Sequence, residues 1–89
     1  MFVKLCGFTR EEDLAAAAEF PISAAGFVFH SASARFVGMK RARALSGLLE
    51  GTGILRVGVF TGSDADSIAR TAEGARMDCA QVYDPLVAQ

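Results

Sequence analysis

The sequence predicts an α/β fold with a parallel sheet, on three observations. Four short apolar runs alternate with three stretches of helical periodicity. No hairpin signal such as Asn-Gly joins neighbouring runs. The second run, Ala24 to Phe29, is nearly all apolar, which suits a strand covered on both faces. The order βαβαβαβ implies parallel strands with right-handed crossovers. Parallel strands bring their C-terminal ends to one rim, here Cys6-Gly7, Phe29-His30, Phe60-Thr61 and Tyr83-Asp84. Folds of this class place their chemistry at that rim.

Each element has local signals. The first strand is read over Phe2 to Cys6, with Gly7-Phe8-Thr9 as a turn. Thr9 and Glu12 have the spacing of a capping box, in which hydroxyl and carboxylate satisfy free amides at a helix start. The first helix then runs from Arg10 to about Glu19, with Leu14, Ala17 and Ala18 as a narrow apolar face, and Pro21 helps to end it. After the second strand comes a loop from His30 to Gly38. The second helix takes Met39 to Leu49, with Ala42, Leu45 and Leu49 on one face and Gly51 as its cap. The third strand is Ile54 to Phe60. Ser63 caps a third helix to about Glu73, on which Ala65, Ile68, Ala69 and Ala72 share a face, and Gly74 ends it. The fourth strand is Cys79 to Tyr83, halted by Asp84-Pro85.

Size and charge narrow the functional classes. The chain has 89 residues, enough for one small domain but marginal as a core without partners. With 52% hydrophobic and 21% charged residues, it reads as globular rather than disordered. No apolar run reaches the roughly 18 residues of a membrane span, and the start lacks the pattern of a signal peptide. A cytoplasmic protein is expected. The net charge is −1, and Lys40-Arg41 with Arg43 reads as a solvated helix face, so no nucleic acid is expected as partner. The two cysteines, Cys6 and Cys79, stand far apart without a CxxC or a histidine pair. That pattern argues against zinc, and a cytosolic setting argues against a disulfide. No metal or cofactor is expected.

Four segments carry a family resemblance. They are Lys4-Leu5-Cys6-Gly7-Phe8-Thr9 with Glu12-Asp13, Gly26-Phe27-Val28-Phe29, Ser33-Ala34-Arg35-Phe36-Val37, and Arg56-Val57-Gly58-Val59-Phe60. In that order and spacing, over residues 3 to 82, the chain resembles the phosphoribosylanthranilate isomerases of tryptophan biosynthesis. The resemblance implies a TIM (β/α)₈ barrel, of which residues 1–89 form a partial domain, a parallel (βα)₃β half. It implies an Amadori rearrangement of N-(5-phosphoribosyl)anthranilate, a small phosphorylated substrate.

Cys6 matches the family's catalytic cysteine, a general base, and a thiol serves as base only when ionised. Without the motif, a lone cysteine is more often a small buried hydrophobe. Arg35 matches the arginine that contacts the anthranilate carboxylate, whose plane suits a forked guanidinium; its bland reading is an exposed loop arginine. His30 matches no catalytic position and reads as a loop histidine. At the fourth strand the family usually has Gln-Leu-His-Gly, whereas this chain has Gln81-Val82-Tyr83-Asp84. No role is carried over there.

A complete barrel needs eight strands and roughly 200 residues or more. The family's aspartate acid on strand six and its phosphate loops after strands seven and eight have no counterpart in these residues. The expectation is an enzyme by descent, inactive as this chain alone; the alternative is a non-catalytic half-barrel that serves as an assembly module or folding fragment. A flavodoxin-like domain is disfavoured because no glycine-rich phosphate loop follows the first strand.

Alternation along strands gives the expected inner wall. With Cys6 inward, Lys4 and Phe2 follow, while Val3 and Leu5 face the helices. On the third strand Arg56, Gly58 and Phe60 are assigned inward, with Leu55, Val57 and Val59 outward. On the fourth, Gln81 and Tyr83 point inward. The open edges of strands one and four predict self-association or a complementary half-barrel.

Overall fold

The computed structural model describes residues 2–30, 33–61 and 64–83. The expected Ser63 cap and the stop at Asp84-Pro85 lie outside them. The elements follow in the expected order: β1 (Lys4–Cys6), α1 (Glu11–Ala17), β2 (Ala24–Val28), α2 (Met39–Gly47), β3 (Leu55–Thr61), α3 (Ala65–Gly74) and β4 (Cys79–Tyr83). All pairs are parallel and the sheet order is β1-β2-β3-β4. Right-handed crossovers between successive neighbours put every helix on the same face. That is barrel winding. A doubly wound sheet reverses its strand order partway.

The helix-covered face holds the larger core. Phe8, Leu14, Ala17, Ala25, Phe27, Val37, Ala42, Leu45, Leu49 and Ala75 form one buried cluster. Phe29 and Phe60 stack with ring centroids 5.2 Å apart. Gly58 makes room for them, since a Cβ there would come within 2.9 Å of the Phe60 ring and 3.2 Å of the Phe29 ring. The other face carries a smaller cluster drawn only from strands: Ala24, Val57 and Val59, with Val28 against them.

This corrects the wall assigned to the third strand. Gly26 is in register with both Cys6 and Val57, so Val57 and Val59 share the face of Cys6. Arg56, Gly58 and Phe60 lie on the helix side. Three interactions set that parity: Phe60 stacks on Phe29, Gly58 yields space to both rings, and Arg56 binds Asp78. The Arg56 guanidinium meets the Asp78 carboxylate at 3.1 Å through both Nε and Nη2. The Arg56 amide donates to the same carboxylate at 2.8 Å, and the Asp78 amide donates back to the Arg56 carbonyl at 2.8 Å. This clasp joins the starts of β3 and β4.

The helix ends differ from expectation in instructive ways. At α1 the N-cap is Arg10, with no side-chain cap, and not Thr9. The Arg10 guanidinium donates to Glu12 at 2.8 Å, which takes up the carboxylate that a capping box would turn back on Thr9. Its hydrogen bonds, chiefly with its own backbone amide and then with Arg10, hold the Glu12 carboxyl below its usual range. At α3 the cap is Asp64, whose carboxylate accepts from the Ser67 amide at 2.8 Å. Gly74 is the last residue of α3, as expected, and a Cβ there would meet the Met39 sulfur at 2.4 Å. It therefore serves the approach of α2 to α3. The reversal falls at Arg76, φ 61°, and the Met77 amide closes on the Ala72 carbonyl at 2.8 Å, as in a Schellman turn. After α2, Gly51 has φ 79°, in the turn beyond the C-cap Leu48. Ser46 is fully buried, and its hydroxyl reaches the carbonyls of Ala75 at 2.9 Å and Arg43 at 3.0 Å.

Candidate functional site at the C-terminal rim

The rim is built outward from the end of β1. Past Cys6 the chain turns at Gly7, whose φ of 92° belongs to the left-handed region that glycine enters without strain. The amides of Gly7 and Phe8 both donate to the Gly26 carbonyl, at 3.0 and 3.3 Å. The first βα turn is thus tied to β2. Phe8 then drops into the helix-side core against Phe27, with centroids 6.4 Å apart.

Gly26 also seats the thiol. A Cβ on Gly26 would lie 2.7 Å from the Cys6 Sγ, 3.1 Å from its Cβ and 3.2 Å from its Cα. The thiol therefore leans over the second strand in space that any other residue would fill. Cys6 is exposed at the rim and is a free cysteine, as is Cys79. The two stand on the edge strands, in one row through Gly26 and Val57.

Arg35 reaches the same corner from the loop after β2. That loop folds back on its strand: the Val37 amide donates to the Val28 carbonyl at 2.9 Å, and Phe36 bridges to Val28. The Arg35 amide donates to the Ser33 hydroxyl at 3.1 Å. The side chain lies across Gly7, where a Cβ would come within 2.4 Å of the Arg35 Cδ. Its Nη1 makes a long contact with the Cys6 carbonyl, 3.5 Å. The two sequence-chosen residues are therefore neighbours, each resting on a glycine. His30 stands at the end of β2, half-buried, and its carbonyl accepts from the Ser33 amide at 3.0 Å.

Sequence reasoning missed Gly26 as part of the site. A glycine inside a strand signals a close approach, and that signal was available. It also missed a contact across the concave face, where the Lys4 ammonium donates to the Gln81 side-chain carbonyl. Its basis was half legible, because alternation puts both residues inward. Arg56, expected beside them, is spent on Asp78 behind the sheet. Lys40, Arg41 and Arg43 are exposed on α2, as a solvated face requires.

A parallel (βα)₃β sheet wound one way, with a thiol and a guanidinium at its C-terminal rim, defines the first half of a (β/α)₈-barrel. Residues 3–85 match the family described as N-(5'-phosphoribosyl)anthranilate (PRA) isomerase, and the chain belongs to that family. The N-(5'-phosphoribosyl)anthranilate isomerase of Rubrobacter xylanophilus is 46% identical over 81 residues, covering 91% of this chain and 39% of the relative. That of Desulfovibrio desulfuricans is 43% identical over 83 residues, 93% of this chain and 37% of the relative. Among solved structures, the isomerase from Thermotoga maritima superposes with a TM-score of 0.89 at 32% identity, covering 96% of this chain and 41% of the other. The Thermus thermophilus isomerase gives 0.84 at 38%, covering 96% and 42%. The chain thus spans about two fifths of the length of the relatives it matches. Among the described residues, no helix is long and apolar enough to cross a membrane.

Proposed function

We propose that these 89 residues supply the first half of the active site of a cytoplasmic phosphoribosylanthranilate isomerase. The placement of Cys6 beside Arg35 at the rim carries this reading. Cys6 acts as the general base and Arg35 takes the anthranilate carboxylate. In the Amadori rearrangement a proton goes to the ribose ring oxygen and the bond from that oxygen to C1 breaks, leaving an iminium at C1. The base removes the proton from C2, and its electron pair forms the C1–C2 double bond of an enolamine. Proton return to C1, with loss of the proton from the C2 hydroxyl, gives the 2-ketose. Arg35, forked and planar, fixes the anthranilate end by two parallel hydrogen bonds, which holds C2 over the thiol. The donor to the ring oxygen and the phosphate site come from residues beyond these elements. A thiol that has to accept the C2 proton cannot also supply the first proton without a partner.

The chain as one 89-residue domain is therefore expected to turn over no substrate by itself. A fluorescence assay following loss of phosphoribosylanthranilate tests this, with the chain alone and with the remaining half of the Rubrobacter xylanophilus relative added. Turnover by the mixture, abolished by Cys6→Ala and lowered by Arg35→Ala, supports the reading. Turnover by the chain alone that disappears with Cys6→Ala overturns the claim of dependence. Turnover by the mixture that is indifferent to Cys6 overturns the claim for the base.

The edges favour association as well. Leu5 on β1 and Val82 on β4 are exposed on the side where helices cover β2 and β3, at 42% and 52%. Both edge strands also offer unpaired backbone to a partner. One solved Thermotoga maritima structure is described as that of monomers generated from a dimeric isomerase. For this chain the partner is a second copy or the complementary half-barrel, and sedimentation equilibrium decides. A compact, cooperatively unfolding monomer at micromolar concentration counts against both.

A further inference from the structure

The concave face holds two valines that have no helix above them, yet Val57 is only 6% exposed and Val59 only 8%. On an open sheet that face should be wet. Across the same face the Lys4 ammonium donates to the Gln81 side-chain carbonyl oxygen. The registers show how far this contact reaches. Lys4 is in row with Ala24 and Leu55. Gln81 is in row with Val59 and Val28, four residues further along the strand direction. On a flat sheet, three strand spacings and that offset would set the two Cα atoms roughly 19 Å apart. Two side chains cannot bridge such a gap, so the contact exists only because the sheet coils and brings these diagonal corners together. The line between them passes over Val57 and Val59. A lysine stem lies well on apolar surface while its ammonium reaches a polar partner. Half-buried, that ammonium needs an acceptor, and Gln81 provides it.

We propose that Lys4 is a positioning residue. Held by Gln81, it forms a diagonal strut that roofs Val57 and Val59 and sets β1, with the Cys6 it carries two residues later, against β4. The strut deepens the reading of Cys6 as base and rests on it only for the catalytic consequence. Arg56 does not substitute for Lys4, being engaged with Asp78 on the opposite face.

The test measures solvent access on that face without requiring turnover, so its failure is distinguishable from failure of the isomerase reading. A soluble paramagnetic agent is added to the methyl-labelled 89-residue chain, and relaxation is compared at Val57 and Val59 with Leu45 in the helix-side core as control. Lys4→Ala and Gln81→Ala are each expected to raise relaxation at the two valines severalfold and leave Leu45 unchanged. The double variant should go no further than either single one, since both remove the same strut. Lys4→Arg, which keeps a cationic donor, restores protection. Unchanged valines in both alanine variants, or an equal rise at Leu45, overturns the proposal. Should either alanine variant fail to fold, Gln81→Glu decides. A carboxylate facing the ammonium must tighten protection of Val57 and Val59 at neutral pH and lose that gain as acid protonates it. Unaltered protection at neutral pH also overturns the strut.

Discussion

Replacing Gly26 by alanine should unsettle the seat of the thiol. The new Cβ would sit 2.7 Å from the Cys6 Sγ, 3.1 Å from its Cβ and 3.2 Å from its Cα. Carbon contacts are comfortable at about 3.5–4.0 Å. Rotation of the thiol relieves the first clash but not the other two, so β1 itself has to move by a few tenths of an ångström. That movement pulls on the hydrogen bonds from Gly7 and Phe8 to the Gly26 carbonyl. Overpacking of this kind costs about 1–3 kcal/mol. The smaller unfolded-state entropy of alanine returns about 0.4–1 kcal/mol. The net is a loss of about 1–2 kcal/mol, against a total near 4–13 kcal/mol for a domain of this length (about 0.05–0.15 kcal/mol per residue). With a urea slope of about 2 kcal/mol per molar, the middle of the usual range, the midpoint should fall by roughly half to one molar. In a Cys79→Ser background, Cys6 should also alkylate faster in Gly26→Ala, because its sulfur is turned off β2 towards the open edge. An unchanged or raised midpoint together with an unchanged alkylation rate would refute the reasoning.

Ser46→Ala should destabilise the chain by about 1–3 kcal/mol, because the buried Ala75 carbonyl loses its donor; urea unfolding measures it, and a neutral result shows that the α2–α3 contact does not need the hydroxyl. The Asp78 carboxyl is held below its ordinary value of 3.8, first by the hydrogen bond from Arg56. A depressed folded value means that its contribution is present above the unfolded pKa and is lost as pH falls through the folded one. Asp78→Asn should therefore lower stability at neutral pH and flatten part of the acid limb in a series of urea midpoints; an acid limb identical to that of the parent chain contradicts this. Glu12, also lowered, is fully exposed, so solvent screens its share and Glu12→Gln should alter the limb little.

Much of this molecule follows from local sequence. Apolar runs and helical periods located all seven elements. Their alternation set the parallel sheet, and the order of four short motifs identified the barrel and chose Cys6 and Arg35. Those signals are local because strand and helix periods repeat within a few residues, and a motif is a string. What the string does not contain is phase between strands. Side chains alternate with a period of two, so either parity of Leu55 to Phe60 is self-consistent until something outside the strand chooses. Here Phe29 and Asp78 choose, by stacking and ion pairing, and they turn Val57 and Val59 inward where Arg56, Gly58 and Phe60 were expected. The capping box failed likewise, because a neighbouring guanidinium competed for Glu12. Only the coiling of four strands brings Lys4 to Gln81, or puts Arg35 over Gly7 and Cys6 over Gly26. Contacts between residues twenty to seventy-seven apart in the chain depend on the third dimension, since close packing, and not any local propensity, decides which groups share a given volume.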